Sequence, residues 1–106
     1  MNESNSRIES LLEYLNDNPD DSFSQYALAL EYDKLGNRTK SIALLEQLLM
    51  RAPDYLAGYY QLGKLYEADG KAVEATDIYE RGIIVAQRQK NMKMVNELRA
   101  AIDMME

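Results

Sequence analysis

Three acidic residues near the start of the chain, Asp17, Asp20 and Asp21, are spaced closely enough to suggest an oxygen cage for a calcium ion. Such a loop also needs a glycine at its sharp turn and a distal bidentate glutamate. Both are missing at the required places, so a solvated turn is expected instead. Glu67 and Asp69 could be read as an acid/base pair, but no third group orients them and no pocket signature surrounds them, so a solvated helix end is expected. Gly63 and Gly70 do not make a phosphate loop, because both have packing or punctuation roles described below. The chain has neither cysteine nor histidine. That removes disulfides, zinc sites of the usual kinds, Ser-His-Asp triads and Cys-His dyads. The expectation is a protein that is not an enzyme and holds no cofactor and no metal.

Charge narrows the partners. The net charge is −6, and within residues 1–21 Glu3, Glu9, Glu13, Asp17, Asp20 and Asp21 stand against Arg7 alone. No basic stripe exists to follow a phosphate backbone, so no nucleic acid is expected as a partner. No run approaches the ~18 consecutive apolar residues needed to cross a bilayer, and the first six residues lack the basic and apolar regions of a signal peptide. No membrane association and a cytoplasmic location are expected. Hydrophobic residues at 46% and charged residues at 28% suit one folded domain, 1–106, with a modest core.

The organising feature is self-similarity at a lag of 34 residues. Tyr26, Leu28, Tyr32, Gly36, Glu46 and Ala52 recur as Tyr60, Leu62, Tyr66, Gly70, Glu80 and Ala86, and Pro19-Asp20 recurs as Pro53-Asp54. A fixed period of this length marks a helical repeat array, and such arrays usually bind other chains.

Hydrophobic spacing places six helices, at about Arg7 to Asn16, Ser22 to Leu35, Arg38 to Arg51, Leu56 to Asp69, Ala72 to Gln89 and Asn91 to Met105. Ser6 followed by Glu9 reads as a capping box for the first. Gly36 and Gly70 read as left-handed stops for the second and fourth. The fifth should outrun the third, because Gln87 replaces the proline due one period after Pro53. No alternating strand pattern occurs, so the fold class is all-α.

These residues resemble the tetratricopeptide repeat (TPR) family, whose unit is two antiparallel helices in 34 residues. Tyr59-Tyr60-Gln61-Leu62-Gly63-Lys64-Leu65-Tyr66 fits the family's aromatic, Leu-Gly, Tyr pattern and continues into Gly70, Ala75, Tyr79 and Gly82. The first copy fits through Leu28, Ala29, Tyr32, Gly36, Ser41, Leu45 and Pro53. It departs at Gln25, where an aromatic is usual, and at Leu48, where a small residue is usual. The resemblance implies an α-α superhelix, or TPR solenoid, with units at 22–55 and 56–89. An N-terminal helix at 6–18 and a capping helix at 90–106 would flank them. Small Ala29, Ser41, Gly63 and Ala75 should let paired helices approach, with Leu28, Leu45, Leu62 and Tyr79 filling between them. Two units fall short of the ~3 needed for independent folding, and the flanking helices should make up the difference.

The family's groove, lined by the first helix of each unit, maps onto Phe23, Tyr26, Ala27, Leu30 and Asp33, then Ala57, Tyr60, Gln61, Lys64 and Glu67. Tyr26 and Tyr60 are the leading contact candidates, since tyrosine joins large contact area to a hydroxyl; packing against adjacent helices is the competing role. Some TPR proteins clamp a C-terminal carboxylate with lysine, asparagine and arginine. Here Tyr26, Leu30, Gln61 and Lys64 occupy those places, so a ligand of apolar or mixed character is expected. The implied function is a non-catalytic module binding a peptide or protein partner. The alternative is a structural unit that forms a homodimer or larger assembly through an exposed end or the last helix, where Met92, Met94, Met104 and Met105 gather and Met94 and Met104 fall off the main apolar stripe.

Overall fold

A computed structural model describes residues 3–105. It contains six helices and, among the described residues, no strand: α1 (Glu3–Asp17), α2 (Ser22–Lys34), α3 (Arg38–Arg51), α4 (Leu56–Ala68), α5 (Ala72–Arg88) and α6 (Met92–Asp103). The expected ends hold to within one or two residues, except at the start of α1. That helix begins at Glu3, so Ser6 lies inside it and the capping box is not its start. Glu3 reaches Arg7 one turn on at 3.2 Å, and an acidic residue suits a helix N-terminus.

Three helices end in the same way. Gly36 and Gly70 take left-handed φ angles of 82° and 74°. In each case the next amide returns to a carbonyl of the last turn, Asn37 to Tyr32 at 3.0 Å and Lys71 to Tyr66 at 2.8 Å. Lys90 ends α5 with φ 58°, while Asn91 returns to Ala86 at 2.9 Å. A side chain in this region costs roughly 1–2 kcal/mol that glycine avoids. Lys90→Gly should therefore stabilise the chain by about 1 kcal/mol, read as a melting midpoint a few degrees higher. An unchanged or lower midpoint would show that Lys90 carries no strain. As expected, α5 runs longer than α3, 17 residues against 14.

The chain divides into two compact units, one ending at Ala52 and the other beginning at Pro53. In the first, α2 packs on both α1 and α3. Leu28, Ala29, Ser41, Leu45 and Leu48 are buried, and the Ser41 hydroxyl donates to the Ala29 carbonyl at 2.7 Å. Small residues at that crossing let the helix backbones come close while the serine stays satisfied. Helix α1 is attached more lightly, since Ile8 is its one buried residue among those described.

In the second unit α5 packs on both α4 and α6. Tyr79, Leu62, Val95 and Leu98 are almost wholly buried, each worth roughly 1.5–3 kcal/mol of hydrophobic stabilisation. Gly63 faces the ring of Tyr79, and Gly82 faces Tyr59 and Leu98. Met94, expected off the apolar stripe of α6, packs with Met105 against the cluster of Ala75, Tyr79, Leu98 and Ala101. The long unbranched side chain lets it turn toward that core from the edge of the stripe. Met92 and Met104 are exposed.

Candidate functional site

The first-helix residues of each unit occupy the half-buried ground between core and solvent. On α4, Ala57, Tyr60, Gln61, Lys64 and Glu67 are all partly exposed. Three of them act together. The Lys64 ammonium lies 5.4 Å from the centre of the Tyr60 ring and 3.8 Å from Glu67 Oε2. Helical spacing explains this, because residues three and four apart share a face. Cation–π attraction and the ion pair then hold one flexible side chain in one place.

The anchor comes from the neighbouring helix. Tyr79 on α5 is fully buried and its hydroxyl donates to Glu67 Oε2. Burial pushes the Tyr79 phenol well above its ordinary pKa, reinforced by the hydrogen bond to Glu67, the charge of that carboxylate and nearby Tyr60. The phenol therefore remains a proton donor, and Glu67 keeps one oxygen committed. Tyr60 also packs against this core, its ring centre 6.4 Å from that of Tyr79. It serves both packing and surface. Glu67 is thus not the simple solvated end its sequence position suggests, whereas Asp69 pairs with Lys71 at 3.6 Å at the helix end.

On α2 the residues separate. Phe23 is 71% exposed, while Tyr26, Ala27, Leu30 and Asp33 are half-buried. Burial raises the Tyr26 phenol above its usual pKa. Gln25, where the repeat usually has an aromatic, donates to the Pro19 carbonyl at 2.7 Å and receives Arg51 at 2.6 Å. Its counterpart Tyr59 donates to the Pro53 carbonyl at 2.6 Å. The same backbone oxygen is thus met at both periods by different side chains.

Glu31 was not singled out by sequence reasoning, although Ser24, Leu28 and Glu31 fall at the i, i+4, i+7 spacing of a buried stripe. Its side chain is only 9% exposed, with Lys34 at 3.1 Å and Arg7 at 3.6 Å from Oε2. Burial works to raise its pKa. Hydrogen bonds from Lys34 and Ser4 and the charges of Lys34 and Arg7 outweigh that and hold the carboxyl below its ordinary value. Its Oε1 is buried with no hydrogen-bond partner. Among the described residues, no group of three or more acidic side chains is placed to hold a metal ion, and no helix is long and apolar enough to cross a membrane.

Known proteins share both pattern and fold. The tetratricopeptide repeat pattern matches residues 24–55. A TPR repeat-containing protein of Methanocaldococcus jannaschii is 34% identical over 71 residues, or 67% of this chain, and the chain spans only 22% of that protein's length. The solution structure of a tetratricopeptide repeat domain protein from Salinibacter ruber is 43% identical, with a TM-score of 0.77 over 79% of this chain and 85% of that one. The crystal structure of MamA gives a TM-score of 0.80 at 24% identity, over 84% of this chain and 52% of that one, a likeness of fold. At 43% identity to a tetratricopeptide repeat domain of which it covers 85%, the chain belongs to the tetratricopeptide repeat family.

Proposed function

We propose that this chain is a non-catalytic protein-interaction module built on two repeats, 22–55 and 56–89. A peptide or partner segment would lie on the first helix of a repeat, α4 above all. TPR folds generally mediate protein–protein interaction and are typically scaffolds rather than enzymes, which supports the reading. The single observation that carries it is the α4 patch of Tyr60, Lys64 and Glu67, half-exposed and fixed from below by Tyr79. A surface whose side chains are already held loses less entropy on binding. Lys64 is engaged by Glu67, so its charge is not free to grip a carboxylate. A ligand of apolar or mixed character is favoured over an acidic tail.

The test captures partners with the intact chain as bait, then measures affinity for a captured partner. Tyr26→Ala combined with Tyr60→Ala should weaken binding at least tenfold, of order 1.4 kcal/mol or more, with helicity retained. Lys64→Ala, which removes the cation over the Tyr60 ring, should weaken it in the same direction. Undiminished affinity in both variants would refute the placement.

Exposed Met92 and Met104 favour a second reading, self-association through α6. Light scattering across a hundredfold range of concentration should then show a growing mass. A monomer at every concentration would sink it.

A further inference from the structure

Where α1 crosses α2 in the first unit, Ser6, Arg7, Ser10, Leu11, Ala27 and Glu31 line a pocket of about 400 Å³. Glu31 is the feature that needs explaining. A buried carboxylate normally has both oxygens hydrogen-bonded, because leaving one unmet costs roughly 1–3 kcal/mol. Here Lys34 and Arg7 both turn to Oε2 and Ser4 also hydrogen-bonds the carboxyl, yet Oε1 is buried without a hydrogen-bond partner. Arg7 serves it poorly. At 3.6 Å it makes an ion pair without a hydrogen bond, and its Nη2 is given to Glu3 at 3.2 Å. The Arg7 side chain is 53% exposed, so it covers the carboxylate but is not locked there.

We propose that this pocket receives the side chain of an arginine from a partner segment, its guanidinium displacing Arg7 and pairing with both oxygens of Glu31. The match is one of shape as well as charge. A guanidinium presents parallel N–H groups at the spacing of a carboxylate, and its weakly hydrated faces suit an apolar wall. Leu11 and Ala27 supply that wall, and the Ser10 hydroxyl can accept a remaining N–H group. A lysine ammonium, a compact and strongly hydrated charge, satisfies one oxygen but not the pair. The wider field is complementary too. Residues 3–52 hold nine acidic and five basic side chains, and α1 itself carries Glu3, Glu9, Glu13 and Asp17 against Arg7. Lys34 and Arg7 face the incoming cation, Lys34 remains on Oε2, and Arg7 withdraws toward Glu3 and solvent.

The experiment is an amide NMR titration of the full chain with N-acetyl-arginine amide, beside the corresponding lysine and glutamine amides. Saturable shifts at Ser6, Ser10, Leu11 and Ala27 are expected for the arginine probe, with affinity on the order of millimolar for so small a ligand. The lysine and glutamine probes should bind at least fivefold more weakly. Glu31→Gln should reduce arginine binding at least fivefold. Arg7→Ala should strengthen it about threefold or more, because the internal competitor is gone. Should Glu31→Gln lose its helicity, Ser10→Leu fills the pocket mouth at an exposed helical position and should block the probe equally well. The proposal is overturned if the arginine probe gives no saturable shift, if lysine or glutamine binds as tightly, if Arg7→Ala weakens binding, or if neither Glu31→Gln nor Ser10→Leu reduces it.

Discussion

Gly63→Ala is expected to destabilise the second unit by about 2–4 kcal/mol, although alanine is the better helix former by roughly 1 kcal/mol. A Cβ at residue 63 would stand 2.1 Å from Cε1 of the Tyr79 ring and 2.5 Å from Cζ, far inside contact distance. The ring cannot step aside, because it is fully buried and its hydroxyl is held by Glu67. One period earlier the equivalent pair is Ala29 and Leu45, both wholly buried. A smaller knob there tolerates a larger hole-lining residue. Gly63→Ala should therefore be partly rescued by Tyr79→Leu, which copies the first unit's pair into the second. Urea or thermal unfolding followed by circular dichroism reads both effects. A Gly63→Ala chain as stable as the parent would show that the helices separate at little cost, and the close-approach account would fall.

That exchange also explains what could be read from the sequence and what could not. Hydrophobic spacing located six helices, and the ends of α2 and α4 were legible because Gly36 and Gly70 supply the backbone conformation that stops them, glycines that are visible in a string of letters. The end of α5 was placed to within one residue, but the left-handed turn at Lys90 was not visible, since lysine has no preference for that conformation. The start of α1 at Glu3 was not legible, because the Ser6-Glu9 motif that reads as a cap lies inside the helix. At the candidate site, Lys64 and Glu67 could be placed on one face of α4 from their spacing alone. That Tyr79 holds Glu67 could not, because the contact crosses from α5 and follows from how closely Gly63 lets the helices approach. Glu31 sat on a buried stripe by spacing. A lone acidic letter says nothing of which oxygen will be satisfied.

Gly82→Leu should be costlier still, by more than about 3 kcal/mol, and its rescue tests whether the two departures of the first repeat are one event. A Cβ at residue 82 would lie 2.7 Å from Tyr59 Cβ and 3.0 Å from Leu98 Cδ1, and leucine adds three more carbons beyond it. In the first unit the matching positions hold Leu48, almost wholly buried, and Gln25, whose side chain reaches the Pro19 carbonyl and Arg51. The large residue has changed helices: aromatic against glycine in one repeat, glutamine against leucine in the other. Tyr59→Gln alone should cost about 1–3 kcal/mol through lost burial, while keeping a donor for the Pro53 carbonyl. Together the two substitutions should cost less than their sum by about 1–2 kcal/mol, since residues in contact couple on that scale. Leu98 keeps the rescue incomplete, because it remains packed where the new leucine must go. Strict additivity would mean that Gln25 and Leu48 are independent departures from the repeat. Coupling would make them a single packing solution, a size swap across one helix pair that leaves the backbone period intact.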